Sequence, residues 1–424
     1  MKKYITDINN GIYIKEDKIS KKIDNSSNII EIKSNKIISS FLGFGSAITE
    51  SSSYNYNTLN KINKNKFIND YYSKDGLNYN FGRISIGSND FSLKSFSYAK
   101  KRNLSDFSIS HDQELVIPFL NDILRKKKIS LIASPWSPPK MYKNLPFLNW
   151  GLKLSKRYYE NYSNYLIKFI LEYKKLGINI DYLTIQNEPM ARQRWESCKF
   201  SLKEQKRFIY DNLLPKLDET KILLWDHNKD NLFNNINELY QENSKIAGVG
   251  FHYYTGNNFS EIKKIREKYP NLLLINTEMC SGYSIYDEKK WIKDAEYYLN
   301  DIIGDMNMGI NAYLDWNILL DINGGPTHSK NYVKSTSIQD KGNYIKSPIY
   351  YYIYHISHFL GNDNYIIYNN SFTNKLKIVS LKCDKKIIIV VMNNSMDDYN
   401  YCIINNKEKI YDGIKSHTII TYIM

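Results

Sequence analysis

Short apolar runs alternate with amphipathic helical patterns between about residue 40 and residue 317. Strands buried on both faces of a parallel sheet have such apolar runs, and a polar turn with a helix pattern after each run is typical of βα units. The runs are FLGFGSA (41–47), FGRISIG (81–87), KISLIAS (128–134), DYLTIQN (181–187), KILLWDH (221–227), AGVGFHY (247–253), NLLLINTE (271–278) and NAYLDWN (311–317). Eight such units predict an α/β fold with a closed (β/α)8 barrel.

Two helix-start signals support this interpretation. Ser201 and Glu204 have the spacing of a capping box at the start of SLKEQKRFIYDNLLPKL, which predicts a helix over 201–217. The last barrel helix is predicted over 347–360, where Pro348 fits the first turn.

The pattern changes after about residue 363. Short strands separated by Asn, Asp and Lys turns predict an antiparallel β-sandwich, and two strands near the N-terminus, GIYIKE and NIIEIKS, are predicted to complete it. The expected domains are N-terminal sandwich strands in 1–39, the barrel in 40–362 and C-terminal sandwich strands in 363–424. The side domain would therefore be built from both chain ends.

Composition indicates a folded protein, with 42% hydrophobic and 14% aromatic residues in a chain of 424. The net charge of +14 raises the question of nucleic acid, but the lysines are spread along the whole chain. A solvated lysine-rich surface is the preferred interpretation, and a basic scaffold for nucleic acid is the alternative. Nothing in the pattern indicates an oligomeric state.

No apolar run is long enough to span a membrane, so no integral membrane segment is expected. Near the N-terminus, Asp7, Asn9 and Asn10 stand where a secretory signal would need apolar residues, which predicts a cytoplasmic protein. The four cysteines have no metal-binding or disulfide spacing, so neither a metal nor another cofactor is expected. His355 and His358 are interpreted as packing residues, because no carboxylate accompanies them.

Two carboxylates stand at the carboxyl ends of predicted barrel strands, where barrel enzymes carry their functional side chains. Glu188 follows the fourth strand in LTIQNEPM, and Glu278 ends the seventh. A single glutamate there is ordinarily a helix-cap partner or an ion-pair partner. A pair of carboxylates beside an Asn-Glu-Pro turn favours glycoside hydrolysis, which needs two such groups.

Other strand ends carry residues that suit a sugar, since aromatic rings pack on its apolar faces and polar groups bind its hydroxyls. Trp136, in ASPWSPP, is either a loop-packing residue or a rigid platform. We interpret His252 as a hydrogen-bonding support and not as a general base, and Cys280 as a filler. A sugar-binding barrel without turnover would leave both glutamates unexplained.

An ordered set of motifs resembles glycoside hydrolase family 30, in the branch of glucosylceramidases and bacterial β-glucosidases. The resemblance covers about residues 40 to 362. Its motifs are FLGFGSAITES, RISIGSNDFS, LIASPWSPPKMYKN, LTIQNEPM, GVGFHYY, LLINTEMCSGY, YLDWNILLDINGGPTH and KSPIYYYIYHISHFL. Departures from the family pattern include GSAITES, with Ser46 and Glu50, and GGPTH, where Thr327 replaces an Asn.

The resemblance implies a retaining β-glycosidase with Glu188 as acid/base and Glu278 as nucleophile. It implies that Asn187 contacts the sugar 2-hydroxyl, that Tyr254 hydrogen-bonds the nucleophile and that Arg83 keeps the nucleophile ionised. Further residues expected to bind the terminal sugar are Asp90, Trp136, Trp316 and Asn331. Further supporting residues are His252 and Asp315.

In the expected reaction Glu278 attacks the anomeric carbon while Glu188, kept protonated by the negative charge of Glu278, donates its proton to the leaving oxygen. Retention predicts carboxyl groups about 5 to 5.5 Å apart. The expected substrates are terminal β-glucosides on a small carbohydrate or a glycolipid. A β-xylosidase or an endo-β-1,6-glucanase activity on the same fold is the alternative.

Overall fold

The computed structural model describes residues 1–19, 28–406 and 408–424. The strands before the last barrel helix are β1 Lys2–Asp7, β2 Ile12–Asp17, β3 Ile29–Ser40, β4 Gly43–Ala47, β5 Phe81–Ile86, β6 Ser130–Pro135, β7 Tyr182–Thr184, β8 Lys221–Asn228, β9 Ile246–His252, β10 Leu273–Glu278, β11 Ala312–Asp315, β12 Leu319–Asp321, β13 Ser337–Asp340 and β14 Asn343–Lys346. The strands after it are β15 Asn364–Ser371, β16 Lys377–Cys383, β17 Lys386–Asn393, β18 Tyr399–Asn405, β19 Glu408–Ile414 and β20 Thr418–Ile423.

The α-helices lie almost entirely between the barrel strands. They are α1 Glu50–Thr58, α2 Lys61–Tyr72, α3 Ser110–Glu114, α4 Val116–Lys126, α5 Tyr159–Lys175, α6 Leu202–Arg207, α7 Leu232–Leu239, α8 Phe259–Lys268, α9 Glu288–Asn307 and α10 Pro348–Ser357. The capping box predicted at Ser201 is present, with both of its reciprocal hydrogen bonds to Glu204. Helix α10 begins at Pro348, as predicted.

Strands β4 to β11 form a closed parallel barrel in chain order, with β11 paired to β4. The predicted barrel fold is confirmed. Alternate side chains of each strand point inward, and the lower interior is filled by Phe81, Ile132, Leu223, Ile275, Ala312 and Leu314. Gly248 is required where β9 meets β10, because a Cβ there would collide with the Leu273 carbonyl oxygen.

Both chain ends form the side domain, which confirms the second part of the predicted fold. Within the described residues its strands form one hydrogen-bonded sheet in the order β19-β18-β3-β15-β16-β17-β20-β1-β2, antiparallel except where β18 meets β3. The sheet curls around its own apolar core, which includes Ile30, Ile389 and Ile403. Strand β3 ends and β15 begins beside the predicted domain boundaries, which stay a prediction.

Helix α10 of the barrel contacts the side-domain sheet through a buried histidine. His355 is buried, with one ring nitrogen 2.8 Å from the Thr421 hydroxyl and the other 2.9 Å from the Thr6 hydroxyl. Burial lowers the pKa of His355 to about 3, so it packs as a neutral ring. In the described part of the chain, no helix is long and apolar enough to cross a membrane.

Candidate active site

Glu188 lies in a tight turn just beyond the end of β7. Its backbone is left-handed, with φ of 48°, which is uncommon outside glycine. Two backbone hydrogen bonds fix the turn. The Glu188 N–H donates to the Asp226 carbonyl oxygen at 2.9 Å, and the Asn187 N–H donates to the Pro135 carbonyl oxygen at 2.7 Å. The local strain therefore places one carboxylate at the carboxyl-terminal mouth of the barrel.

Glu278 is the last residue of β10 and opens at the same mouth. The imidazole of His252, at the end of β9, lies near both glutamates: its Nδ1 is 3.6 Å from Glu188 Oε1, and its Nε2 is 3.9 Å from Glu278 Oε2. The Glu188 and Glu278 side chains are 16% and 8% exposed, so a ligand in the mouth can reach them. The structure thus brings the two predicted carboxylates together around one ring.

Arg83 is the fully buried cation beneath the mouth. Its Nη1 donates to Glu278 Oε2 at 2.6 Å, and its Nη2 donates to Asn187 Oδ1 at 2.8 Å and to Asp226 Oδ2 at 2.9 Å. Burial lowers the pKa of Arg83, but Asp226 and Glu278 outweigh it and raise that pKa above its ordinary value. Because the guanidinium stays charged, it forms charged hydrogen bonds with both carboxylates and favours the ionised form of Asp226.

Asp226 is not among the predicted site residues, although it lies near the carboxyl end of the apolar strand β8. Its Oδ2 accepts from Arg83 and from the Thr184 hydroxyl at 2.6 Å, and its Oδ1 accepts from the Thr277 hydroxyl at 2.7 Å. Burial raises the pKa of Asp226, but Arg83 and His252 hold it far below its ordinary value. Asp226 is therefore a permanent anion that orients the neighbouring cations.

Replacing Arg83 with Leu is expected to lower the free energy of unfolding by about 3 to 5 kcal/mol, because Asp226 and Glu278 would lose the guanidinium that pairs with both buried charges. Chemical denaturation measures this change. The control is Arg125→Leu, which removes an arginine that is 75% exposed and paired with Asp122, and it should cost under about 1 kcal/mol. Equal effects of the two substitutions would contradict the assigned importance of the buried network.

His252 carries a raised pKa of about 9. Burial lowers this pKa, but the charges of Glu278, Asp226 and Glu188 raise it by more. For Glu188, burial raises the pKa and hydrogen bonding to His252 lowers it, with a net shift below the ordinary value. The charge of Glu278 was expected to keep Glu188 protonated, whereas the imidazole that lies between the two carboxylates acts in the opposite direction on the pKa of Glu188.

An aromatic wall borders the mouth. The rings of Trp136 and Trp316 stack with centroids 5.2 Å apart, and Phe91 meets Trp316 edge-on at 5.8 Å. The Arg83 guanidinium lies 4.8 Å from the Trp136 ring centre, within the range of a cation–π contact. Both indoles are nearly buried, so each one packs against the protein and can also form a rigid edge of the pocket.

Asp90 follows β5 and lies beneath the loop that contains Asn331. The Asn331 amide donates to Asp90 Oδ2 at 2.9 Å, while Asp90 Oδ1 is buried with no hydrogen-bond partner in the described structure. Burial and the charge of Glu278 raise the pKa of Asp90 to about 8. Thr327, which departs from the family pattern, donates to the Asp90 carbonyl oxygen and so holds the same loop. The unpaired oxygen is suited to a ligand hydroxyl.

Two further predicted residues lie at the mouth. Asn187 uses its amide oxygen to accept from Arg83, which leaves its NH2 group as a donor for a ligand. The Tyr254 hydroxyl donates to Glu278 Oε1 at 3.0 Å and lies 3.2 Å from the Cys280 sulfur. Gln186, next to Asn187, donates to the Trp136 carbonyl at 2.6 Å and so braces the loop that carries that indole.

Asp315 is not at the mouth, and its predicted supporting role there is corrected. On β11 the inward positions are Ala312 and Leu314, so alternation turns Asp315 outward. Its Oδ2 accepts from the Tyr79 hydroxyl at 2.6 Å behind the barrel wall. Burial raises the pKa of Asp315 to about 7. Only the next residue, Trp316, reaches the site.

No group of His, Cys, Asp and Glu side chains in the described part of the chain has the arrangement of a metal site. All four cysteines are buried and free of disulfides. The mouth itself presents two accessible carboxylates, an imidazole and a buried guanidinium. Such a set can exchange protons with a ligand and attack it as a nucleophile.

The fold and the paired carboxylates at the mouth define a barrel hydrolase that acts on sugars. The model of the glycosyl hydrolase family 30 TIM-barrel domain matches residues 41–360, and the chain belongs to that family. A putative glucosylceramidase 3 of Caenorhabditis elegans is 32% identical over 367 residues, which is 78% of this chain and 69% of the relative.

Two solved structures share the whole architecture. The crystal structure of SrfJ from Salmonella typhimurium is 28% identical, with a TM-score of 0.94 over 100% of this chain and 99% of that one. An endo-β1,6-glucanase structure is 26% identical, with a TM-score of 0.87 over 100% and 98% of the two chains. These matches show that the chain is a glycoside hydrolase.

Proposed function

We propose that this chain is a retaining β-glycosidase that hydrolyses terminal β-glucosides, as a glucosylceramidase does, through a covalent glycosyl-enzyme. One observation carries the proposal: the Glu278 carboxylate is held by Arg83 and Tyr254 at the mouth where Glu188 also opens. A carboxylate held ionised by a buried cation is suited to attack an anomeric carbon. The relative from Caenorhabditis elegans, named a putative glucosylceramidase, supports the substrate class.

In this proposal Glu278 forms a bond to the anomeric carbon while the bond from that carbon to the leaving oxygen breaks and Glu188 gives the oxygen a proton. Water then attacks the same carbon, Glu188 takes a proton from the water, and the ester to Glu278 breaks. The Asn187 NH2 group binds the sugar 2-hydroxyl. Asp90, Asn331 and the two indoles, Trp136 and Trp316, hold the rest of the terminal sugar.

An endo-acting β-1,6-glucanase is the second candidate, because the glucanase structure covers almost the entire chain at a high TM-score. The two activities differ in how many sugars the mouth accepts beyond the bond that is cleaved. A comparison of aryl β-glucosides with β-1,6-linked glucose oligomers separates them. Release of single glucose units supports the first proposal, whereas internal cleavage of the oligomers supports the second.

Proton NMR of a fresh reaction mixture tests the stereochemistry. With an aryl β-glucoside, the β-anomer of glucose is expected to appear first, because two displacements at one carbon restore its configuration. A Glu278→Gln protein purified in parallel controls for contaminating glycosidases. The α-anomer appearing first would overturn retention, and no hydrolysis over a panel of aryl β-glycosides would indicate a sugar-binding barrel.

The cytoplasm is the proposed location. The four free, buried cysteines support a reducing compartment, where disulfides are rare.

A further inference from the structure

His252 occupies a position that the two-carboxylate scheme does not use. The ring is completely buried, and Asp226 Oδ1 lies 3.2 Å from its Nε2. Asp226 already accepts hydrogen bonds from Arg83, Thr184 and Thr277, so it is an anion and can only accept from His252. The Nε2 atom of His252 therefore carries a hydrogen in every protonation state of the ring.

The other ring nitrogen determines what Glu188 can do. His252 Nδ1 is buried, has no other hydrogen-bond partner in the described structure and lies 3.6 Å from Glu188 Oε1. If Glu188 is ionised, Nδ1 must carry a hydrogen to face it. If Nδ1 is bare, Glu188 must carry that hydrogen. Either way, one proton belongs to the pair and moves between Nδ1 and Oε1.

We propose that Asp226, His252 and Glu188 form a proton relay, in which His252 stores the proton that Glu188 donates to the leaving group. This inference rests on the proposed function and assigns His252 as a positioning and proton-storing residue. As the bond from Glu278 to the anomeric carbon forms, Nδ1–H gives its proton to Glu188, which passes it to the leaving oxygen while the bond from that oxygen to the carbon breaks. In the second step Glu188 takes a proton from water and returns it to Nδ1.

The esterification of Glu278 drives the exchange. While Glu278 is an anion 3.9 Å from His252 Nε2, it favours the imidazolium and so keeps the proton on the ring. Neutralising Glu278 by the bond to the sugar removes that attraction and releases the stored proton toward Glu188. The other titratable or charged groups that face Glu188 or His252 are His227, with its Nδ1 4.0 Å from Glu188 Oε1, together with Arg83, Asp90, Tyr254 and Cys280.

The relay predicts the pH dependence of kcat/KM, which reports formation of the glycosyl-enzyme. The wild-type rate should fall only as the shared proton is lost, near the His252 pKa of about 9. In His252→Gln no imidazole is present, so only the Glu188 carboxyl group can hold the proton. A carboxyl group loses its proton at lower pH than an imidazolium does, so the alkaline limb of kcat/KM should move to lower pH by more than about one unit. A purely structural His252 would lower the rate without moving this limb.

The leaving group supplies a second readout on the same variant. For an alkyl β-glucoside, which needs a proton on its leaving oxygen, kcat/KM at pH 8 should fall by about 100-fold or more, as for loss of general-acid catalysis. For a dinitrophenyl β-glucoside, which leaves without a proton, it should fall less than about 10-fold. Equal losses for both substrates would overturn the relay. His355→Gln, which removes a buried imidazole far from the mouth, is the matched control and should change neither value.

If His252→Gln does not fold, nitrogen-15 NMR of labelled wild-type protein tests the relay. Among the seven histidines, one ring should keep its Nε2 proton throughout and lose its Nδ1 proton near pH 9. If no ring keeps its Nδ1 proton above about pH 7.5, one unit over the ordinary value, no proton is stored and the relay is wrong. A wild-type protein that cleaves no β-glycoside refutes the proposed function, whereas an active protein with an unmoved alkaline limb refutes the relay alone.

Discussion

Replacing Glu278 with Gln is expected to lower kcat/KM for an aryl β-glucoside by about 10⁴-fold or more, as for other nucleophiles removed from enzymes that use covalent catalysis. The amide has the size of the carboxylate but cannot form an ester with the sugar. Its oxygen can still accept from Arg83, and the Tyr254 hydroxyl can turn to accept from its NH2 group, so the fold should remain intact. Initial rates and a thermal unfolding curve of the same preparation measure both effects.

A fluorinated substrate identifies the attacked residue directly. The fluorine of a 2-deoxy-2-fluoro-β-glucoside slows both steps, and a good leaving group keeps the first step faster than the second. The wild-type protein should therefore accumulate an adduct on the peptide that contains Glu278. Mass spectrometry after proteolysis locates the adduct. The control is Glu296→Gln, which alters a buried glutamate whose Oε1 lies 2.8 Å from His417 Nδ1, away from the mouth. Near-normal activity of Glu278→Gln, or an adduct on another residue, would show that Glu278 is not the nucleophile.

The barrel could be predicted because each of its strands is an apolar run that contrasts with the polar turns around it. The same contrast is weak elsewhere. Strand β19, Glu408–Ile414, has no clear apolar run, because its sequence EKIYDGI contains charges and a glycine, yet it pairs with β18 along its whole length. Pairing with the neighbouring strand β18, and not an apolar run, makes this segment a strand.

The observed side domain differs from the predicted sandwich in how its strands pair. Local patterns identify strands but do not determine which edges meet. Here β3, twelve residues long, pairs with both β15 and β18 and joins the two halves into one curled sheet. The N-terminal strand β1 then pairs with the C-terminal strand β20. The sequence pattern predicted that both chain ends build the side domain, and the strand pairing shows that they share one sheet.

The candidate site was predictable where side-chain chemistry is distinctive at a strand end, as for Glu188 and Glu278. Asp315 satisfied the same rule but points outward, because a one-residue step along a strand reverses the face. Asp226 lies at a register shift between β8 and β9, so counting alternate positions does not predict its direction. Asn187 and Glu188, the polar pair inside LTIQNEPM, each have a partner at the mouth, since Asn187 binds Arg83 and Glu188 faces His252.

Replacing Glu188 with Ala is expected to produce a loss that depends on the leaving group. For an alkyl β-glucoside, kcat/KM should fall by about 10³-fold, because no group remains to protonate the leaving oxygen. For a dinitrophenyl β-glucoside, glycosylation should stay fast, but water would attack the glycosyl-enzyme without a base. The intermediate should therefore accumulate, and a burst of dinitrophenol should precede slow turnover.

Azide distinguishes this role from a general loss of structure. Azide is a nucleophile without a proton to remove, so it should attack the glycosyl-enzyme of Glu188→Ala, raise kcat for the dinitrophenyl substrate and yield β-glucosyl azide. The β configuration follows because azide attacks the face opposite Glu278. Glu278→Gln is the matched control, since it forms no ester and should give no β-glucosyl azide. Unchanged rates and no azide adduct with Glu188→Ala would contradict the acid/base role, because the cavity left by the side chain lies beside the carbon that azide must reach.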